Sequence, residues 1–191
     1  SNCSRAHSFN ALCFRNFKLE GDLGMIHVYT GNGKGKTTAA LGLALRACGA
    51  GLKVFFCQFV KGRHYSELKS LKKLKNIKIR QFGRSCFIKT SPKESDKRLA
   101  MEGFFLVKKI ILEKNFDLVV LDEINIAIKL GLLDLNEVLN LLDLVDRDTE
   151  VVLTGRYAPD QIIKKADLVS EIKEKKHYYR NGVKARRGIE F

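Results

Sequence analysis

The stretch Thr30-Gly-Asn-Gly-Lys-Gly-Lys-Thr-Thr38 leaves this chain few folds to choose from. It follows an apolar, strand-like run at 25–29 and opens a helix-like run at 39–47. Strand, glycine-rich loop and helix in that order are the setting of a phosphate-binding loop. Successive backbone N–H groups and the positive end of the helix dipole face a polyphosphate there. Thr30, Gly31, Asn32, Gly33, Lys34, Gly35, Lys36, Thr37 and Thr38 are therefore the expected nucleotide-binding residues. Lys36 adds a mobile charge, and the Thr37 hydroxyl is placed to reach a magnesium ion. The match to G-x-x-x-x-G-K-[ST] departs at its first position, where Thr30 stands. A glycine-rich turn without a ligand is the plainer alternative. Three glycines interleaved with Asn32 and Lys34 weigh against it, because glycine gives up more backbone entropy on folding than any other residue.

A second element supports the first. The run from Phe116 to Glu123 reads FDLVVLDE, a buried-strand pattern ending in two carboxylates. In a parallel sheet all strand C-termini share one edge, and ligands bind there. Asp122 and Glu123 are thereby expected near Thr37, as the groups that hold the metal or its waters. Together the two elements indicate an enzyme of the P-loop nucleotide class.

Alternation along the rest of the chain sets the fold. Strands are expected near 25–30, 53–59, 77–82, 117–121 and 150–154. Helices are expected at about 37–49, 65–75, 93–114 and 134–146, with a short one near 160–165. Asp134 followed by Glu137 resembles a capping box. Alternating strands and helices specify an α/β fold, a single P-loop NTPase-like (RecA-like) domain with a mostly parallel sheet and helices on both faces. That domain is expected over 25–191, after an N-terminal extension at 1–24 that is Ser/Asn-rich and weakly patterned. Five polar clusters then meet at one sheet edge: the loop itself, Gln58 with Lys61-Gly62, residues 83–87, Asp122-Glu123-Asn125, and Thr154-Gly155-Arg156. A shared edge is what an active site looks like.

Charge and cysteine usage narrow the class further. The chain has 191 residues and a net charge of +14. Dropping residues 1–24 removes three basic and two acidic residues and leaves +13, so the basicity belongs to the domain. Nucleic acid or a polyanionic small substrate would suit such a field, while lysine runs on solvated faces would explain it without either. Five cysteines (Cys3, Cys13, Cys48, Cys57, Cys86) form no C-x-x-C pair, which argues against a disulfide framework or zinc site and suits a reducing cytosol. No apolar run has the length of a membrane span, and the N-terminus lacks the apolar core of a secretory signal.

Several motifs in order carry a specific resemblance. They are YTGNGKGKTTAALG at the loop, QFVKG from Gln58, DLVVLDEIN from Asp117, LTGRYAPDQIIKKADLVSEI from Leu153, and KHYYRNGVKARRGIEF from Lys176. In these the chain resembles the P-loop ATP:corrinoid adenosyltransferases of cobalamin biosynthesis, from Ile26 to Phe191. The family's loop normally reads T-G-x-G-K-G-K-T-T, so Thr30 fits it. The resemblance implies transfer of the 5′-deoxyadenosyl group of ATP to the cobalt(I) of a corrinoid, with release of triphosphate. It implies ATP lying in the loop in the reverse of the usual sense, Mg²⁺ or Mn²⁺ as the cation, a homodimer, a flavoprotein reductant and a cytoplasmic setting. Nucleic acid and membrane are not expected partners.

Residue roles follow from it. Lys36, Thr37 and Glu123 are the expected catalytic residues, and Thr37, Asp122 and Glu123 the expected holders of the metal. Arg156 is a candidate for the phosphates or ribose, and His177 matches a family position in the tail. Where relatives read G-x-G-F-T-W after the third strand, this chain reads Gly83-Arg-Ser-Cys-Phe-Ile88. Gly83, Cys86, Phe87 and Ile88 are the corrinoid candidates. Either Phe87 takes the aromatic role, or the corrinoid is held differently, or the substrate is another corrinoid. Two rivals share the loop and the acid pair: a P-loop phosphotransferase and a nucleic-acid-dependent ATPase. Neither accounts for the motif from Lys176 to Phe191.

Overall fold

The structure is a computed structural model that describes residues 24–63, 65–84 and 91–191. Six strands form one sheet: β1 (Ile26–Thr30), β2 (Val54–Phe59), β3 (Ile77–Phe82), β4 (Leu118–Asp122), β5 (Glu150–Thr154) and β6 (Leu168–Glu171). Their order is β3-β2-β4-β5-β1-β6, and every pairing is parallel. The helices between them are α1 (Lys36–Gly49), α2 (Ser66–Leu71), α3 (Glu94–Glu113), α4 (Ile124–Lys129), α5 (Leu135–Asp143) and α6 (Asp160–Lys165). A single 3₁₀ turn, Tyr178–Asn181, stands in the tail.

Alternation within the strands splits the core in two. Val54 and Phe56 of β2, Leu118 and Val120 of β4, and Val152 of β5 pack with Ala40, Ala44 and Ala47 of α1 and Leu71 of α2. Phe55, Cys57, Phe59, Val119, Leu121, Val151 and Leu153 face the opposite way. They pack with α3 (Ala100, Phe104, Val107), α5 (Val138, Leu141) and Ile162 of α6. Helices thus cover both faces, which is why β2 and β4 are buried at every position. The alanines of α1 recur at helical spacing and let that helix lie close on the sheet. A fully buried side chain such as Phe56 contributes about 2–3 kcal/mol of apolar burial.

Five strands and five helices stand where the sequence pattern puts them, with α2 and α5 shorter than expected. Asp134 accepts from the Asn136 and Glu137 amides and so caps α5. Two elements differ from the expectation. The Ile-rich segment of α4 has no helical stripe of its own, because Ile124, Asn125 and Ala127 are buried on several sides of one short turn. β6 pairs with β1 at the edge of the sheet, and all four of its residues are exposed, so it has no apolar alternation to read.

Candidate active site

Register builds the site. Gln81, Gln58 and Asp122 are aligned partners on β3, β2 and β4. They fall on the face shared with Val54, Phe56 and Val120, which is the face that α1 covers. The row is hydrogen-bonded across the strands: Gln81 Nε2 donates to Gln58 Oε1 at 2.9 Å, and Gln58 Nε2 donates to Asp122 Oδ2 at 3.0 Å. From β5, Thr154 Oγ1 donates to Asp122 Oδ1 at 2.6 Å and itself accepts from the Glu123 amide at 2.9 Å.

The start of α1 supplies the other wall. Thr37 Oγ1 donates to Asp122 Oδ1 at 2.9 Å. Lys61 Nζ donates to Asp122 Oδ2 at 2.8 Å and to Thr37 Oγ1 at 2.9 Å, and lies 3.8 Å from Glu123 Oε1. Asp122, fully buried, therefore accepts four hydrogen bonds. That satisfaction is what allows a carboxylate to sit there. The sequence places Lys61 and Gln58 at this edge without giving them a role. For Gln58 the signal is its in-register partners Gln81 and Asp122, and Lys61 follows three residues later on the same edge.

Glu123 is held in the left-handed region (φ 62°) as the residue before α4. Its carboxyl is raised above the usual range, first by burial and then by Asp122, while Lys61 opposes the shift. Burial lowers the Lys36 ammonium, against the pull of Glu123. For Lys61 burial acts downward as well, but Asp122 and Glu123 outweigh it and the net shift is upward. Arg156 is exposed, close enough to Lys36 and Glu123 to bear on both charges.

The glycine-rich loop is packed from outside by the tail. Lys36 Nζ folds back onto Gly33 O at 2.7 Å. The Gly33 amide donates to Ile172 O at 2.7 Å, so this one of the expected phosphate-facing amides is already engaged. Gly31 has φ 96°, and a Cβ there would lie 2.5 Å from Ile172 O, which only glycine avoids. Asn32 Oδ1 accepts from the Glu174 amide at 3.2 Å. Lys34 turns away from the loop to Tyr178 Oη at 2.9 Å and Glu190 Oε1 at 2.7 Å. Thr30 Oγ1 accepts from the Ala158 amide at 3.3 Å, a bond that a glycine at the first loop position would lack. His177 Nδ1 accepts from the Tyr179 amide at 3.1 Å and caps the 3₁₀ turn.

Four of the five expected clusters are thus seen together at the C-terminal edge, and Gly83 brings in the fifth. Gly83 and Gly62 meet backbone to backbone, and a Cβ on Gly62 would lie 2.1 Å from Gly83 O. Cys86, Phe87 and Ile88 lie outside the described residues.

The family model of ATP:corrinoid adenosyltransferase BtuR/CobO/CobP matches residues 22–191. The chain belongs to the ATP:corrinoid adenosyltransferases. It is 36% identical over 174 residues to the corrinoid adenosyltransferase of Escherichia coli strain K12, covering 91% of this chain and 89% of that one. The corrinoid adenosyltransferase CobA of Salmonella typhimurium is 36% identical over 174 residues, and the corrinoid adenosyltransferase of Pseudomonas aeruginosa 34% over 170. Among solved structures, the KaiC-like protein PH0186 of Pyrococcus horikoshii OT3 superposes with a TM-score of 0.52 at 15% identity, covering 80% of this chain and 74% of that one. That likeness is one of fold. No described helix is long and apolar enough to cross a membrane.

Proposed function

We propose that this chain transfers the 5′-deoxyadenosyl group of ATP to the cobalt(I) of a corrinoid and releases triphosphate. The supporting observation is the joining of Thr37, Lys61 and Asp122 beneath a glycine-rich loop in a chain of this family. The electron pair of cobalt(I) forms the new bond to C5′, and the pair of the breaking C5′–O bond leaves on the triphosphate oxygen. No protein base is needed. The work left for the chain is to orient ATP and to stabilise a departing polyanion, which positioned cations and amides do well in a site shielded from water. Lys36 and the remaining loop amides face that anion in this reading. Arg156 adds charge at the mouth of the site.

Oxygen donors are the chemistry that a magnesium or manganese ion accepts, and such ions keep waters and substrate phosphates as further ligands. Thr37 Oγ1, Asp122 and Glu123 give a partial set of that kind, so the residues fit. They would hold the ion, which when bound adds positive charge next to the phosphates. We take Gly83, Cys86, Phe87 and Ile88 as the corrinoid side, residues 25–191 as the catalytic domain, and a homodimer with a flavoprotein reductant in the cytoplasm as the working setting, on the family resemblance. The test is to supply ATP, Mg²⁺ and a chemically reduced corrinoid and identify both products. Triphosphate with an adenosylated corrinoid supports the reading. ADP and phosphate, stimulated by DNA or RNA, would overturn it.

A further inference from the structure

The ammonium of Lys61 sits on the same two oxygens that the metal reading needs. It lies 2.9 Å from Thr37 Oγ1 and 2.8 Å from Asp122 Oδ2, with Glu123 Oε1 at 3.8 Å. A magnesium ion approaches its oxygen ligands to about 2.1 Å, so an ion bound to this pair and an ammonium on the same atoms are mutually exclusive. The local charges explain which of them prevails. Asp122 and Glu123 face Lys61 and Lys36, and Arg156 adds a further positive charge close by. A divalent ion entering by itself must displace a cation from a pocket with no net negative charge to hold it. A polyphosphate arriving with it brings enough negative charge for the ion and both lysines.

The backbone around Lys61 favours movement of the side chain alone. The Val60 amide donates to Phe82 O at 3.0 Å, and a Cβ on Gly83 would lie 2.5 Å from Lys61 N, so the main chain there is clamped to the segment after β3. The side chain is four carbons long, and the Tyr65 ring is already 5.7 Å from its nitrogen, a cation–π distance that offers an alternative resting place.

With Thr37, Asp122 and Glu123 taken as the cation's holders, as proposed above, we propose that Lys61 is a resident counter-cation of this pocket. It occupies the metal's oxygens until nucleotide phosphates arrive, and so makes uptake of the divalent ion conditional on nucleotide. Lys61 is on this account a positioning residue, acting through Asp122 and Thr37.

The test is a Mn²⁺ titration followed by electron paramagnetic resonance, with and without the β,γ-imido analogue of ATP, on the wild type and on Lys61→Met. Without nucleotide, Lys61→Met binds Mn²⁺ roughly tenfold or more tightly than the wild type. With the analogue, both bind. Equal nucleotide-free affinities in the two folded proteins would overturn the proposal while leaving the metal site standing. If the wild type takes up no Mn²⁺ even with the analogue, the metal reading and this proposal fall together. Should Lys61→Met not fold by circular dichroism, Lys61→Gln replaces it. The wild type also decides independently, since nucleotide-free Mn²⁺ binding as tight as binding with the analogue contradicts the proposal.

Discussion

Two polar networks flank the glycine-rich loop, and they are built by different means. The strand-edge network on Asp122 is buried and set largely by sheet register: its partners stand on neighbouring strands, just after β2 or at the start of α1. The tail network joins Lys34, Tyr178, Arg186 and Glu190 at the surface, between residues that share no register. In the first, removing one member strands buried polar groups. In the second, water replaces whatever is lost. Buried pairs broken on one side cost far more than exposed ones, whose net worth is small.

The largest contrast is expected at Asp122. Asp122→Ala leaves Lys61 and Gln58 facing an empty position, and should lower unfolding free energy by about 3–5 kcal/mol. Thermal melting would show it as a drop on the order of 10 °C for a domain of this size. A melting point within about 2 °C of wild type would mean that the row carries no such load.

Lys36→Ala comes next, as an effect on turnover in a protein that still folds. Loss of one positioned donor to the leaving anion costs on the order of 3 kcal/mol of barrier, about a hundredfold in rate. Steady-state kinetics at saturating ATP measure it, and near-normal turnover would remove Lys36 from the leaving-group role.

The third effect depends on pH. Glu123 must be ionised to attract a cation, and burial raises its carboxyl. Cation-dependent nucleotide binding should therefore fail on acidification with a midpoint above about 4.3, the ordinary glutamate value. Glu123→Gln should bind more weakly at neutral pH and lose that titration. A wild-type profile flat from pH 7 down to about 4.3 would contradict the assignment.

Glu190→Gln is expected to do least. Lys34, Tyr178 and the Arg186 amide hold the Glu190 carboxyl down to about 2. Its contribution is thus complete above the ordinary value near 4.3 and is lost as pH falls through about 2. Substitution at neutral pH should speed tryptic cleavage after Arg186 and Arg187 with little change in melting. Unchanged cleavage would show that the clasp does not restrain the tail.

The same contrast governs what could be read from the sequence. The loop, the acids where β4 ends and the parallel sheet are legible because buried strands write continuous apolar runs, and Asp122 ends one of them. The role of Lys61 is not, although its place at the edge is. Its partners Thr37 and Asp122 lie 24 and 61 residues away. The register of β2 with β4 brings in Asp122, and the packing of α1 on the sheet brings in Thr37. β6 is not legible in the sequence, because an exposed four-residue edge strand has no pattern to show. The tail's grip on Gly33 through Ile172 rests on main-chain atoms, which no side-chain motif reports. Thr30 was the reverse case: an odd residue in the motif, explained by its bond to the Ala158 amide.

The direct measurement of the central claim is the fate of the oxygen between C5′ and the α-phosphorus. With ATP labelled by ¹⁸O at that atom and a reduced corrinoid, attack at carbon sends all of the label out in triphosphate and none into the adenosyl product. Label retained on the nucleoside would place bond cleavage at phosphorus, and the account of this site would be wrong.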